Sequence, residues 1–133
     1  MGDYSPPLAN QTAVVTGASS GIGNAIATTF AELGANLIIH ANTNQAGLEA
    51  TAAEVREFGR DVTLLYADLT SSDAQASLVK QAFQADEQIN IWVNNAGRDV
   101  LTGDAADWSF EQKLAALWEL DVQGTIGICR CLS

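Results

Sequence analysis

The sequence predicts an α/β fold, a parallel sheet whose strands are joined by helices lying on both of its faces. Three observations predict it. Short, β-branched apolar runs alternate strictly with longer segments of helical apolar spacing, in the order β-α-β-α-β-α-β-α. The short runs are continuously apolar, as in strands covered on both faces. A glycine-rich turn separates the first strand from the first helix. Parallel strands joined through helices close by right-handed crossovers.

The elements follow in order. Residues 1–11 are polar, contain Pro6 and Pro7, and read as a loose N-terminal arm; residues 12–133 read as one domain. Thr12-Ala13-Val14-Val15-Thr16 is the first strand, ended by Gly17. Ile22, Ile26, Phe30 and Leu33 recur at helical spacing, and Gly34 stops that helix. Asn36-Leu37-Ile38-Ile39-His40 is the second strand. Residues 45–58 form a helix with Leu48, Ala52, Val55 and Phe58 on one stripe. Val62-Thr63-Leu64-Leu65-Tyr66 is the third strand. Ser71 or Ser72 caps the next helix, which turns Leu78, Val79, Ala82 and Phe83 inward. Ile89-Asn90-Ile91-Trp92-Val93 is the fourth strand. A polar stretch runs to Trp108, and a last helix from Phe110 towards Cys131 carries Leu114, Leu117, Trp118, Leu120 and Val122.

Composition narrows the function classes. Of 133 residues, 47% are hydrophobic and 17% charged, which supports a packed core and excludes a disordered, collagen-like or coiled-coil chain. Sixteen acids against six bases give a net charge of −10, the wrong sign for a nucleic-acid groove or an anionic membrane. No apolar run approaches the ~18 residues of a membrane span. The first residues have no secretory pattern, and Pro6 stands where a myristoylation signal wants Ser or Thr. Cys129 and Cys131, two apart on a helix, read as free thiols in a reducing compartment. With His40 the only histidine, no metal site is expected. These signs fit a cytoplasmic protein.

Three segments carry chemistry, each at a strand end. Thr16-Gly17-Ala18-Ser19-Ser20-Gly21-Ile22-Gly23 joins the first strand to the first helix. Such a turn sets backbone N–H groups and a helix N-terminus against a phosphate pair. Gly17 permits the tight turn, Gly21 removes a Cβ where a pyrophosphate approaches, and Gly23 lets helix and sheet pack closely. Ser19 and Ser20 offer hydroxyls for a helix cap or a phosphate. A glycine turn that only eases packing is the alternative. In Ala67-Asp68-Leu69, Asp68 can accept from an adenine amino group or cap the following helix. In Asn94-Asn95-Ala96-Gly97, the asparagines can bond loop backbones while Ala96 and Gly97 leave room for a ribose; a plain turn is the alternative.

Together these segments resemble the short-chain dehydrogenase/reductase family, in the variety similar to 3-oxoacyl-carrier-protein reductases. The likeness runs from about Leu8 to the end of the chain. It implies a Rossmann-like, doubly wound parallel sheet, here truncated after the fourth strand and the helix that follows. It also implies a nicotinamide dinucleotide held by Gly17, Ser19, Ser20, Gly21, Ile22, Gly23, His40, Asn42, Asp68, Leu69, Asn95, Ala96 and Gly97. The implied reaction is hydride transfer between that cofactor and a small carbonyl or secondary alcohol. The end of the second strand, His40-Ala41-Asn42-Thr43, has no acid to bond a ribose 2′-hydroxyl and no arginine to clamp a 2′-phosphate. Neutral donors at His40, Asn42 and Thr43 favour NADP(H) over NAD(H); His40 as a strand-end polar residue without a ligand is the alternative.

The family's acid–base pair, Tyr-x-x-x-Lys, has no counterpart in these residues. Four residues after Tyr4 and Tyr66 stand Leu8 and Thr70, and the only lysines are Lys80 and Lys113. Asp121 occupies the position of the family's catalytic asparagine, or is a helix-surface acid. The chain alone is therefore expected to be inactive. An open edge at the fourth strand and the apolar last helix predict association, as a homo-oligomer through that helix. Two other classes compete: a non-catalytic nucleotide-binding module, and an assembly partner that lends a sheet edge to another chain.

Overall fold

The computed structural model describes residues 5–133. Residues 1–4, which include Gly2, Tyr4 and the start of the expected arm, lie outside it. Four strands form one parallel sheet in the order β3-β2-β1-β4: β1 Thr12–Val15, β2 Asn36–Ala41, β3 Val62–Tyr66 and β4 Ile91–Val93. Helices α1 Gly21–Glu32, α2 Gln45–Glu57 and α3 Ser72–Ala85 follow the first three strands. Beyond β4 come a short three-ten helix at Gly103–Asp107 and a helical stretch made of α4 Phe110–Leu117, a π-helical segment Trp118–Gly124 and α5 Thr125–Leu132.

The pleat assigns side chains to the two faces. Ala13, Leu37 and Val62 stand in register, as do Val15, Ile39 and Leu64, and they pack with Ala27, Ala31, Leu48, Ala52 and Val55 of α1 and α2. Val14, Ile38 and Trp92 point the other way, against Ala82 of α3. Leu69, Leu78, Val79 and Ile128 continue that second core between α3 and α5. Two faces, each covered by helices, explain why the strand runs are mainly apolar rather than alternating.

Local signals set most element ends. Asn44 caps α2 by accepting from the Gly47 N–H, and Ser71 caps α3 by accepting from Ala74. Ser109 and Gln112 close a reciprocal capping box on α4. Gly34 leaves α1 at a φ of 108°, a conformation costly for any residue with a Cβ.

Several expectations need correction. Residues 5–11 are docked, not loose: Leu8 packs on the first core, and its N–H donates to the Leu33 carbonyl at 2.9 Å. Phe58 and Phe83 are exposed, and Ile22 is 74% exposed at the start of α1, where Gly23, Ala27 and Ala31 are the buried residues. β4 begins at Ile91 rather than Ile89. The last helix widens into a π-helical segment instead of running regularly, and its buried residues are Ala116, Gly124 and Ile128. No helix among the described residues is long and apolar enough to cross a membrane.

Candidate functional site

The strand order reverses between β1 and β4, and ligands of such sheets bind in the crevice outside the carboxyl ends at that reversal. A cavity of 720 Å³ lies there, within the range of small-molecule and cofactor sites. The three segments singled out in the sequence meet around it: the glycine turn, residues 67–70 after β3, and residues 95–99 after β4.

The glycine turn is held from three sides. Thr16, at the end of β1, accepts the N–H groups of Asn95 and Ala96 on its Oγ1, each at 3.0 Å. Asn95 Nδ2 donates to the Gly17 carbonyl at 3.0 Å. Thr51 of α2, fully buried, donates its hydroxyl to the Ala18 carbonyl at 2.8 Å. The three glycines do different work. A Cβ on Gly17 would stand 2.7 Å from the Ala96 Cα, so Gly17 lets the two loops touch. A Cβ on Gly23 would meet the Gly17 carbonyl oxygen and lie 2.5 Å from Asn95 Nδ2. Gly21 has a φ of 57° and open space where its Cβ would be, on the cavity wall. Ser20 is the N-cap of α1, but its hydroxyl makes no capping bond, contrary to the capping role expected for it.

His40 is 2% exposed at the end of β2. Its Nδ1 accepts the Gly17 N–H at 3.1 Å and its Nε2 lies 2.9 Å from the Ala67 carbonyl. His40 lines the cavity, and both of its ring nitrogens are used within the protein. Burial pushes its pKa below the ordinary imidazole value, partly offset by the bond to Ala67. Asn42 is exposed and lines the cavity, together with Thr43 and Asn44.

Asp68 is exposed on the far wall and accepts from Thr70 Oγ1 at 2.7 Å and from the Thr70 N–H at 3.0 Å. The Thr70 hydroxyl bond, then the backbone bond, hold its pKa below the ordinary carboxylate value, and Arg98 adds attraction. Ser71, not Asp68, caps α3, so the carboxylate is not consumed as a helix cap. Leu69 borders the cavity but buries its side chain in the second core.

Across the crevice, Asn95, Ala96 and Gly97 line the wall. Asn94 instead accepts from Trp92 Nε1 at 3.0 Å, a bond that ties β4 to its own loop. Asp121 sits in the π-helical segment behind this wall; its Oδ1 accepts the Arg98 N–H at 3.0 Å and would lie 3.4 Å from a Cβ on Gly97. Leu120 is the residue of that segment that lines the cavity. Sequence reasoning missed Thr51, Thr70 and Arg98. Arg98 directly follows the Asn-Asn-Ala-Gly segment and is the cation nearest the motifs, so adjacency was the available signal. Nothing in the spacing of Thr51 points 33 residues back to the glycine turn.

Comparisons with known proteins agree with this geometry. The chain is 39% identical over 94 residues to 3β-hydroxysteroid dehydrogenase 2 of Eggerthella lenta, a match covering 71% of this chain and 36% of that protein. It is 40% identical over 96 residues to a 3-oxoacyl-acyl-carrier-protein reductase of Chlamydia trachomatis, covering 71% and 39%. A metagenomic short-chain oxidoreductase solved in complex with NADP superposes with a TM-score of 0.80 at 31% identity, covering 93% of this chain and 55% of that one. An NAD+-bound xylitol dehydrogenase superposes with a TM-score of 0.83 at 26% identity, covering 94% and 47%. The chain thus spans well under half the length of these two curated relatives and about half of each of these solved chains. The sequence profile described as short chain dehydrogenase matches residues 11–133, the stretch that builds both the sheet and the cavity wall, and on this ground the chain belongs to the short chain dehydrogenase family.

Proposed function

We propose that this chain forms the dinucleotide-binding part of an NADP(H)-dependent oxidoreductase acting on a carbonyl or secondary alcohol. The carrying observation is the cavity at the β1/β4 reversal, where the glycine turn, Asp68 and the 95–97 segment converge. The residues fit the cofactor. Gly21 leaves the cavity wall bare at the start of α1, where the helix N-terminus favours a pyrophosphate. Ser19, Ser20, Asn42 and Thr43 supply neutral hydrogen-bonding groups on one side of the cavity and no carboxylate, which favours a ribose 2′-phosphate. Asp68 accepts from the adenine amino group. Ala96 and Gly97 give room for the second ribose. When bound, the nicotinamide supplies or takes the hydride.

The chain's own residues prepare that event without completing it. Thr16 and Asn95 hold the two cavity loops together, and Asp121 fixes the turn after Gly97 through the Arg98 N–H. Asp121 is thus a positioning group in this reading. Lys113 donates to the Ala106 carbonyl, and no tyrosine in the sequence has a lysine four residues on. The chain by itself is expected to bind dinucleotide without turnover. The relatives' names, a hydroxysteroid dehydrogenase and an oxoacyl reductase, share the carbonyl/alcohol pair that sets the substrate class.

Titration with NADPH and NADH, followed by nicotinamide fluorescence, tests the proposal. Tighter NADPH binding supports it, tighter NADH binding overturns the cofactor preference, and no binding of either overturns the whole. Assembly is part of the same reading. Phe110, Leu114, Trp118 and Ile126 expose apolar surface along the last helical stretch. Sedimentation at the mass of a single chain would count against association through it.

A further inference from the structure

Two successive amides of the glycine turn, those of Gly17 and Ala18, are both taken by one residue. Gly17 donates its N–H to His40 Nδ1 at 3.1 Å, and Ala18 donates its N–H to the His40 carbonyl at 2.8 Å. The opposite ring nitrogen, Nε2, faces the Ala67 carbonyl at 2.9 Å, and a carbonyl can only accept. These partners dictate the tautomer: Nε2 carries the proton and Nδ1 is bare. One imidazole therefore braces the ends of β1, β2 and β3, the three strands that feed one side of the cavity.

We infer that His40 is a positioning residue for this cavity: its neutral, Nε2-protonated ring sets the glycine turn through the Gly17 amide, and protonation at Nδ1 dismantles that setting. A protonated ring would turn an N–H towards the Gly17 N–H, two donors facing each other with no acceptor between them. Gly17 has no room to yield on its other side. Its φ is 63°, the Ala96 Cα stands 2.7 Å from where its Cβ would be, and Asn95 holds its carbonyl. A displaced Gly17 therefore carries the 95–97 wall with it.

The charged and titratable surroundings are few. From β3 come Tyr66, paired in register with Ala41, and Asp68, next to Ala67. From the loop after β4 come Arg98 and Asp99, which share the cavity. The glycine turn and residues 42–48 bring none. Burial favours the neutral ring, and the bond to the Ala67 carbonyl partly offsets it.

The choice of dinucleotide as probe rests on the function proposed above; the ring geometry does not. His40 is the only histidine, so imidazole NMR on the full chain reads it without assignment. The expected spectrum shows a bare Nδ1 and a protonated Nε2, with a titration midpoint below 6.5 and the Gly17 amide resonance moving at the same midpoint. A proton resident on Nδ1, or a Gly17 amide indifferent to the titration, overturns the inference, and both are readable on the unmutated protein.

NADPH binding is then followed from pH 8 to pH 5 in the wild type and in His40→Asn. The asparagine Oδ1 can accept the Gly17 N–H and does not titrate in this range. Wild-type affinity is expected to fall more steeply than that of the variant as pH drops through the His40 midpoint read by NMR, by about tenfold more at one pH unit below that midpoint. The phosphate of the probe titrates near the same range, and its effect cancels in the comparison. Parallel profiles overturn the inference while leaving dinucleotide binding intact. Absence of NADPH binding at every pH sinks the dinucleotide reading instead, and the Gly17 amide titration still decides the role of His40.

Discussion

Thr16 accepts the backbone N–H of Asn95 on its side-chain oxygen at 3.0 Å, across 79 residues of chain. It accepts the Ala96 N–H at the same distance. One hydroxyl, 1% exposed, thus joins the loop leaving β1 to the loop leaving β4. Thr16→Val keeps the shape and leaves two partly buried donors unpaired. A loss of about 1–3 kcal/mol of unfolding free energy is expected, with Thr16→Ser largely restoring it, measured by urea unfolding.

Gly23 and Gly21 lie two residues apart and should respond oppositely. Gly23→Ala drives a methyl into the Gly17 carbonyl and Asn95. It should cost about 3 kcal/mol or more of stability, because backbone rather than a flexible side chain must move. Gly21→Ala meets no atom within 4 Å and suffers only its φ of 57°, a cost of about 1–2 kcal/mol. Its methyl stands on the cavity wall, so NADPH affinity should fall further than stability. Thermal unfolding and fluorescence titration on both variants check the contrast.

Asp68→Asn removes a charged acceptor without changing shape. Dinucleotide affinity at pH 7 should drop about tenfold or more, as expected for a hydrogen bond to a charged group. The Thr70 bonds keep Asp68 ionised below its ordinary value of 3.8. A depressed carboxylate pKa contributes stability that is complete above the ordinary value and lost as pH falls through the folded one. The ratio of wild-type to variant affinity should therefore be the same at pH 7 and pH 5. A ratio that shrinks by pH 5 would show that Asp68 is not the group responsible.

Asn42→Asp places a carboxylate on the cavity wall after β2. It should repel a 2′-phosphate and accept from a 2′-hydroxyl, moving the NADPH-to-NADH affinity ratio towards NADH by about tenfold. Parallel titrations of the two cofactors read the shift directly.

Gly127→Ala tests the packing of α5 on α3. A Cβ there would stand 2.6 Å from Gln75 Cδ and collide with its Oε1. Gln75 is buried and donates to the Leu69 carbonyl at 2.8 Å, so moving it orphans that carbonyl. A loss of about 2 kcal/mol is expected in denaturant unfolding, with the double variant Gln75→Ala/Gly127→Ala losing less than the sum of the singles.

How much of this was readable from residues alone depends on what each residue type constrains. Glycines at a strand end followed by a helical stripe limit the backbone so tightly that the turn, the strand and the cavity edge were all legible. The four strands were legible because coverage on both faces makes their runs mainly apolar and β-branched. Helix faces were less so. Ile22 and Phe83 fit the apolar stripe by spacing, yet both are exposed: α1 turns the small residues Gly23, Ala27 and Ala31 to the core, and α3 turns Gln75, Leu78, Val79 and Ala82. The hydrogen-bond partners of His40 were not legible for another reason. A sequence shows that an imidazole stands at a strand end but not which acceptor and donor claim its two nitrogens. Thr16, Thr51 and Asp121 likewise act through partners 23 to 80 residues away, distances that no local pattern encodes.

The strand order has a kinetic consequence. β2 and β3 each join the sheet by a crossover through one helix, whereas β4 reaches β1 only after the chain has travelled around both, 78 residues from Thr12 to Asn90. Closing that longest loop is the most entropically demanding pairing in the sheet. It is also the event that brings the 95–97 wall to the glycine turn. The cavity is therefore complete only once that pairing is made, and is lost if β4 peels away. A ligand spanning Gly21 and Gly97 would act as a clasp on that step, slowing unfolding more than it speeds folding.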